Sequence, residues 1–130
     1  MPSPHYVELE MTFGIEASHQ LPRAPEDSPC RRLHGHSWRI ELAVAGPVDP
    51  DSGWLLDYHA IEAAWKPLRE TLDHRHLNEV EGLSNPTSEN LAVWIWSRLS
   101  EPLGSLLLRV TVHETCTARC SYFGPGESAS

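Results

Sequence analysis

The chain has 130 residues, 40% hydrophobic and 22% charged, with a formal net charge of −8. That composition describes one globular domain with a real core and excludes a disordered chain. The acidic balance argues against nucleic acid or an anionic membrane as the main partner, since both call for a basic surface, and no apolar run approaches the roughly 20 residues of a membrane span.

In chain order, Met1 to His5 lacks a basic region followed by an apolar one, so no signal peptide is read there. The three cysteines are an odd count without a disulfide spacing, and reduced thiols in a cytoplasmic protein are expected. Residues 6–15 alternate, with Val7, Leu9, Met11, Phe13 and Ile15 apolar and Glu8, Glu10 and Thr12 between them, which predicts a half-buried strand. Continued, that strand carries Ala17 and His19 on its apolar side. Pro22, Pro25 and Pro29 mark residues 21–30 as a loop. A second strand is expected from about His34 to Val44, with Trp38, Ile40, Leu42 and Val44 facing inward and His34 and His36 in the same phase.

Turn residues at 46–53 precede a helix with Ile61, Ala64, Trp65, Leu68 and Leu72 at helical spacing, which Pro67 should kink or break. Thr87 reads as the N-cap of a second helix carrying Leu91, Trp94, Ile95 and Leu99, ended by Pro102 and Gly104. A third strand over 105–115 alternates Leu106, Leu108, Val110 and Val112 and places Glu114 inward, and a short last strand is expected at 119–123. The order ββααββ predicts an α+β domain over residues 1–123, a four-stranded antiparallel sheet with two helices on one face, followed by a flexible tail at 124–130.

Several groups suit chemistry. A lone inward histidine is usually a hydrogen-bonded core residue, but His19, His34 and His36 share one phase on two strands joined by one loop, and three imidazoles with an open position describe a catalytic zinc site. Cys30 lies in that loop beside Arg31 and Arg32, where positive surroundings favour a thiolate; the alternative is a small buried hydrophobe. Asp73 and His74 are either a carboxylate–imidazole pair able to move protons or a solvated helix end. Glu114 needs a donor, either from the protein or from a ligand with two adjacent N–H groups. Cys116 and Cys120 have a spacing found in structural zinc sites but no clear fourth ligand, and His5, His59, His76 and His113 are read as surface or supporting residues.

Together and in order, Ala17-Ser18-His19, Cys30 to His36, Gly53 to Tyr58, Leu72-Asp73-His74 with Leu77-Asn78, Asn85 to Asn90, and Glu114 to Ala118 with Cys120 and Tyr122 are highly specific. On these motifs the chain resembles the 6-pyruvoyltetrahydropterin synthase family from about Phe13 to Tyr122. Leu33, Asn85-Pro86 and the Glu114 to Ala118 run resemble its bacterial 6-carboxytetrahydropterin synthase branch, of the queuosine and 7-deazapurine route, while Ile15, Ser18 and Gln20 depart from that branch's pattern. The resemblance implies a tunnelling fold whose sheets join side by side into an oligomeric barrel, as trimers or hexamers, with sites at subunit junctions. It also implies zinc on His19, His34 and His36, Cys30 as general base, Asp73 with His74 as its relay, and Glu114, with Thr87 beside it, on the pterin. The implied substrate is 7,8-dihydroneopterin triphosphate, converted to 6-carboxytetrahydropterin, acetaldehyde and triphosphate. Two alternatives are 6-pyruvoyltetrahydropterin synthesis, which lacks the carbon–carbon cleavage, and a non-catalytic zinc or pterin-binding protein.

Overall fold

The computed structural model describes residues 5–126. Two long strands, β1 (Tyr6–His19) and β2 (His34–Pro47), form an antiparallel hairpin, and α1 (Tyr58–Leu72), β3 (Arg75–His76), α2 (Ser88–Leu103), β4 (Leu107–His113) and β5 (Arg119–Tyr122) follow. The sheet order is β3-β1-β2-β4-β5, antiparallel except where β3 runs parallel to β1. The expected sheet of four strands therefore has a fifth, a two-residue strand too short to leave any periodicity in the sequence.

One face of the sheet is covered. Ile15, Ala17, Trp38, Ile40, Leu42, Val44, Val110 and Val112 are buried against Ile61, Trp65, Leu68 and Leu72 of α1 and Leu91, Trp94, Ile95 and Leu99 of α2. Each large side chain buried in this way contributes about 1.5–3 kcal/mol of transfer free energy. The opposite face carries no helix and is charged: Arg109 engages Glu8 and Glu10, and the buried His113 Nε2 lies 3.0 Å from Glu41 Oε1. No helix among the described residues is long and apolar enough to cross a membrane.

Local chemistry sets the element ends. The Asp57 carboxylate accepts the His59 N–H at the start of α1, and Thr87 Oγ1 accepts the Asn90 N–H at the start of α2, as its N-cap role predicts. Helix α1 runs through Pro67 without a break, because Trp65 and Leu68 are buried on either side and hold the turn in place. Helix α2 likewise takes Pro102 into its last turn and ends at Gly104, whose φ of 56° suits glycine.

The third long strand is shorter than expected, 107–113 rather than 105–115. A register shift opposite Ala43 and Val44 turns Leu107 into the core and leaves Leu106 and Leu108 half-buried, so the alternation read from Leu106 begins out of phase. The last strand ends at Tyr122 rather than at 123. Of the expected tail, residues 127–130 lie outside the described residues.

Candidate metal centre and active site

The β1–β2 register pairs His19 directly with His34 and Ala17 with His36, and all three imidazoles emerge on the helix-covered side at one end of the hairpin. Trp38, one step further along β2, packs its ring edge-on against His19 and His36, with centroids 5.0 and 5.1 Å away. His19 is fully buried, and burial is the main reason that its pKa lies below the ordinary histidine value.

Backbone carbonyls hold two of the rings. His19 Nδ1 lies 2.8 Å from the Pro86 carbonyl and His34 Nδ1 lies 2.7 Å from that of Arg32. A carbonyl only accepts, so each Nδ1 carries the hydrogen and each neutral ring presents a lone pair at Nε2. Those two Nε2 atoms are 2.9 Å apart. Glu114 Oε1, also an acceptor, lies 3.3 Å from His19 Nε2 and 3.4 Å from His36 Nε2, and His36 Nε2 is buried without a hydrogen-bond partner.

One ligand atom from each of His19, His34, His36 and Glu114 falls within 4.8 Å of the other three. Acceptor atoms packed this closely repel one another unless a cation or a proton lies among them. Around a tetrahedral zinc with bonds of about 2.0–2.1 Å, ligand atoms sit about 3.3–3.4 Å apart, close to the 3.3 and 3.4 Å between Glu114 Oε1 and the His19 and His36 Nε2 atoms. The donor set therefore fits a divalent metal of zinc's type.

The other expected residues stand apart from this cluster. Cys30 is exposed in a single helical turn, Pro29–Arg31, whose backbone is capped by Ser28 Oγ, and its sulfur is not among the converging ligand atoms. Asp73 and His74 do form a pair, with His74 Nδ1 3.1 Å from Asp73 Oδ2, but the imidazole is 78% exposed. Asp73 Oδ1 accepts the Glu16 N–H, and this bond, with the His74 contact adding to it, holds the Asp73 carboxyl below its ordinary range. His74 has a left-handed backbone (φ 58°), uncommon for a residue other than glycine, and its N–H donates to the Glu16 carbonyl at 2.6 Å. It borders an open cavity of about 500 Å³ shared with Glu16, Ser18, His36, Ser37 and Arg75. Thr87 caps α2 next to Pro86, the residue that holds His19.

Glu114 sits one residue beyond β4, and its carboxylate joins the histidines as a fourth converging group, a closeness that the strand alternation did not predict. Sequence reasoning placed Asn78 in a motif but gave it no role. Its Oδ1 accepts the Gln20 N–H at 2.9 Å and its Nδ2 donates to the Gln20 carbonyl at 2.7 Å, so the carboxamide pairs with the backbone just past the end of β1, where the short β3 has stopped. Asp73 does the same at Glu16, and the two side chains brace β1 on either side of His19. The carbonyls of Pro86 and Arg32 have no sequence signature, since every residue carries one.

A family model described as 6-pyruvoyl tetrahydropterin synthase matches residues 8–125. A relative from Synechocystis sp. named 6-carboxy-5,6,7,8-tetrahydropterin synthase is 42% identical over 118 residues, covering 87% of this chain and 90% of the relative. A Drosophila melanogaster relative named 6-pyruvoyl tetrahydrobiopterin synthase is 40% identical over 98 residues, covering 71% of this chain and 58% of the relative. The solved structure of Caenorhabditis elegans 6-pyruvoyl tetrahydropterin synthase superposes with a TM-score of 0.88 at 28% identity, covering 96% of this chain and 99% of that one. Given the ordered motifs, the shared fold and a match over nearly the whole length, the chain belongs to the 6-pyruvoyl tetrahydropterin synthase family.

Proposed function

We propose that the protein is a zinc-dependent carbon–carbon lyase that converts 7,8-dihydroneopterin triphosphate to 6-carboxy-5,6,7,8-tetrahydropterin, releasing triphosphate and acetaldehyde. The observation that carries the metal part of this reading is the approach of two Nε2 lone pairs to 2.9 Å while both Nδ1 atoms are committed to carbonyls. The choice of product follows the Synechocystis relative's name, at the highest identity among the relatives cited.

In this reading His19, His34 and His36 hold zinc, which supplies Lewis acidity and a template for the substrate's side-chain hydroxyls. Cys30 acts as the general base on a side-chain carbon. Asp73 orients His74 through Nδ1, leaving Nε2 to exchange a proton. Glu114 accepts two adjacent N–H groups of the pterin edge, a bidentate match for a carboxylate. Thr87 adds a contact at the start of α2, where helix amides are free. No redox cofactor enters.

Cys30 is not among the groups that converge with the metal ligands, and His74 shares only an open cavity with His36, so the reading includes a homo-oligomer, a trimer or hexamer, in which neighbouring copies complete each site. Beyond Ala17 and Ser18, the outer edge of β1 has no partner strand among the described residues, and an uncovered edge of that length is a surface for another copy. The protein is expected to act in the cytoplasm.

The test is turnover of 7,8-dihydroneopterin triphosphate by zinc-loaded protein, with product mass spectrometry and an acetaldehyde assay. 6-Carboxytetrahydropterin with equimolar acetaldehyde is expected. A 6-pyruvoyl product without acetaldehyde would overturn the branch assignment, and a fully metallated protein with no turnover would favour a binding role.

A further inference from the structure

We propose that the loop joining β1 to β2 is a polyphosphate-binding loop, in which Arg23 and Arg32 hold the phosphate chain of the substrate beside the histidine cluster and Arg31 braces the loop. This rests on the pterin triphosphate reading above and assigns the part of the substrate for which no residue has been named.

The loop covers residues 20–33, and the residues that flank it, His19 and His34, are candidate metal ligands whose Nε2 atoms are 2.9 Å apart. Its two arms are tied together, since the Leu21 N–H donates to the Cys30 carbonyl at 2.8 Å. Arg31 Nη1 donates to the Ala24 carbonyl at 3.1 Å and closes the tip. The Arg32 carbonyl holds His34 Nδ1, and covalent geometry alone keeps the Arg32 Cα within about 7 Å of that of His34. Pro22, Pro25 and Pro29 restrict the backbone further, which lowers the ordering cost when an anion binds.

Clustering separates these arginines from the others. The chain has ten Lys and Arg against a net charge of −8, and three of the ten fall within positions 23–32. Elsewhere Arg109 is held by Glu8 and Glu10, Arg69 faces Asp73 at 3.9 Å, Arg98 lies over the Trp94 ring, and Arg39 reaches His113, while Lys66, Arg75 and Arg119 are exposed and stand singly, away from this loop. Arg23 and Arg32 are exposed, and among the described residues no side-chain hydrogen bond or ion pair engages them. The loop also carries Glu26 and Asp27, both exposed, so its own balance is only weakly positive. What it offers an anion is free guanidinium forks, whose paired N–H donors match phosphate oxygens. A strongly charged triphosphate approaching an acidic protein needs such a local surface.

The test compares neopterin with neopterin triphosphate, the oxidised and unreactive pterins, by fluorescence titration of zinc-loaded protein, with zinc content measured for each variant. Arg23→Gln and Arg32→Gln should each raise the Kd for neopterin triphosphate about tenfold and leave that for neopterin unchanged. Lys66→Gln, on α1 and outside the loop, should change neither. An unchanged triphosphate affinity in the double variant, or an equal loss for both pterins at full zinc, overturns the proposal. If the wild-type protein binds neither pterin, the functional reading falls and the loop assignment with it; if it binds both and only the expected selective loss is missing, the loop assignment alone falls.

Discussion

The histidine cluster and the Asp73–His74 pair flank the same strand, yet they are built in opposite ways. The cluster is finished within one chain: His19 is buried, two rings are held by backbone carbonyls, and Trp38 packs against two of them. The pair is anchored just as firmly at its backbone, through Glu16, but presents its imidazole to solvent, and Cys30 is exposed on a separate turn. A metal site binds tightly only where its protein ligands converge, and here one chain brings the candidate ligand atoms together. Groups that move protons must stay open to substrate, and they can be contributed by different copies as long as assembly brings them together.

The largest effect should come from emptying the cluster. His36→Ala or chelation should remove the metal, measured by elemental analysis, and lower turnover by about a thousandfold or more, since Lewis-acid stabilisation is worth several kcal/mol. The chelated protein should stay folded by circular dichroism, because an ordinary hydrophobic core surrounds the site; unfolding on chelation would make the metal structural and break the contrast with the exposed pair. Cys30→Ala and His74→Ala should each keep full zinc and lose about 10²–10⁴ in kcat. Mixed, unfolded and reassembled one to one, these two inactive proteins should regain about a quarter of wild-type activity if each site draws Cys30 and His74 from different copies. No recovery would mean that both come from one chain, and the contrast would need redrawing.

Glu114 sharpens the boundary between the two regions. If its carboxylate serves the pterin, Glu114→Gln should leave zinc stoichiometry intact and weaken neopterin binding by about tenfold or more. Loss of zinc instead would make it a fourth ligand. Asn78→Ala removes the brace beside His19 and should weaken zinc affinity by about tenfold, the lower end of what supporting residues at metal sites contribute. Competition titration with a chelating dye reads this directly. A fall in melting temperature with unchanged zinc affinity would reduce Asn78 to an ordinary strand contact.

The cluster was the most legible part of the molecule because period-two alternation is a strong signal and three histidines shared the phase of the core residues Ile15, Trp38 and Ile40. The two helices were legible from their apolar stripes and from Thr87. What escaped has no periodicity to betray it. The strand at Arg75–His76 is two residues long, and the register shift opposite Ala43 and Val44 follows from packing between strands distant in sequence. The carbonyls of Pro86 and Arg32 come into play only after folding brings loops to the imidazoles. The residue types of Cys30, Asp73 and His74 pointed to chemistry, but their positions relative to the cluster depend on tertiary structure, and the relation of one copy to the next lies beyond any single chain.

The smallest effect, and the one that separates the two regions by titration, is on stability. Burial lowers the His19 pKa in the folded state, so the metal-free folded protein binds fewer protons there than the unfolded chain does. That contribution is fully present above the unfolded histidine value of about 6.5 and is lost as pH falls from there through the folded value. Asp73 has the same sign in a lower window: its folded pKa is depressed, first by the Glu16 N–H and then by His74, so its contribution is present above about 3.9 and lost as pH falls through the folded value. Melting temperatures of chelated protein should therefore decline from pH 7 to pH 5 and again below pH 4. His19→Gln should flatten the first decline alone and Asp73→Asn the second alone. Parallel profiles for the wild type and His19→Gln between pH 7 and 5 would show that the buried ring does not control that step, and the distinction between a sealed cluster and an open pair would lose its thermodynamic support.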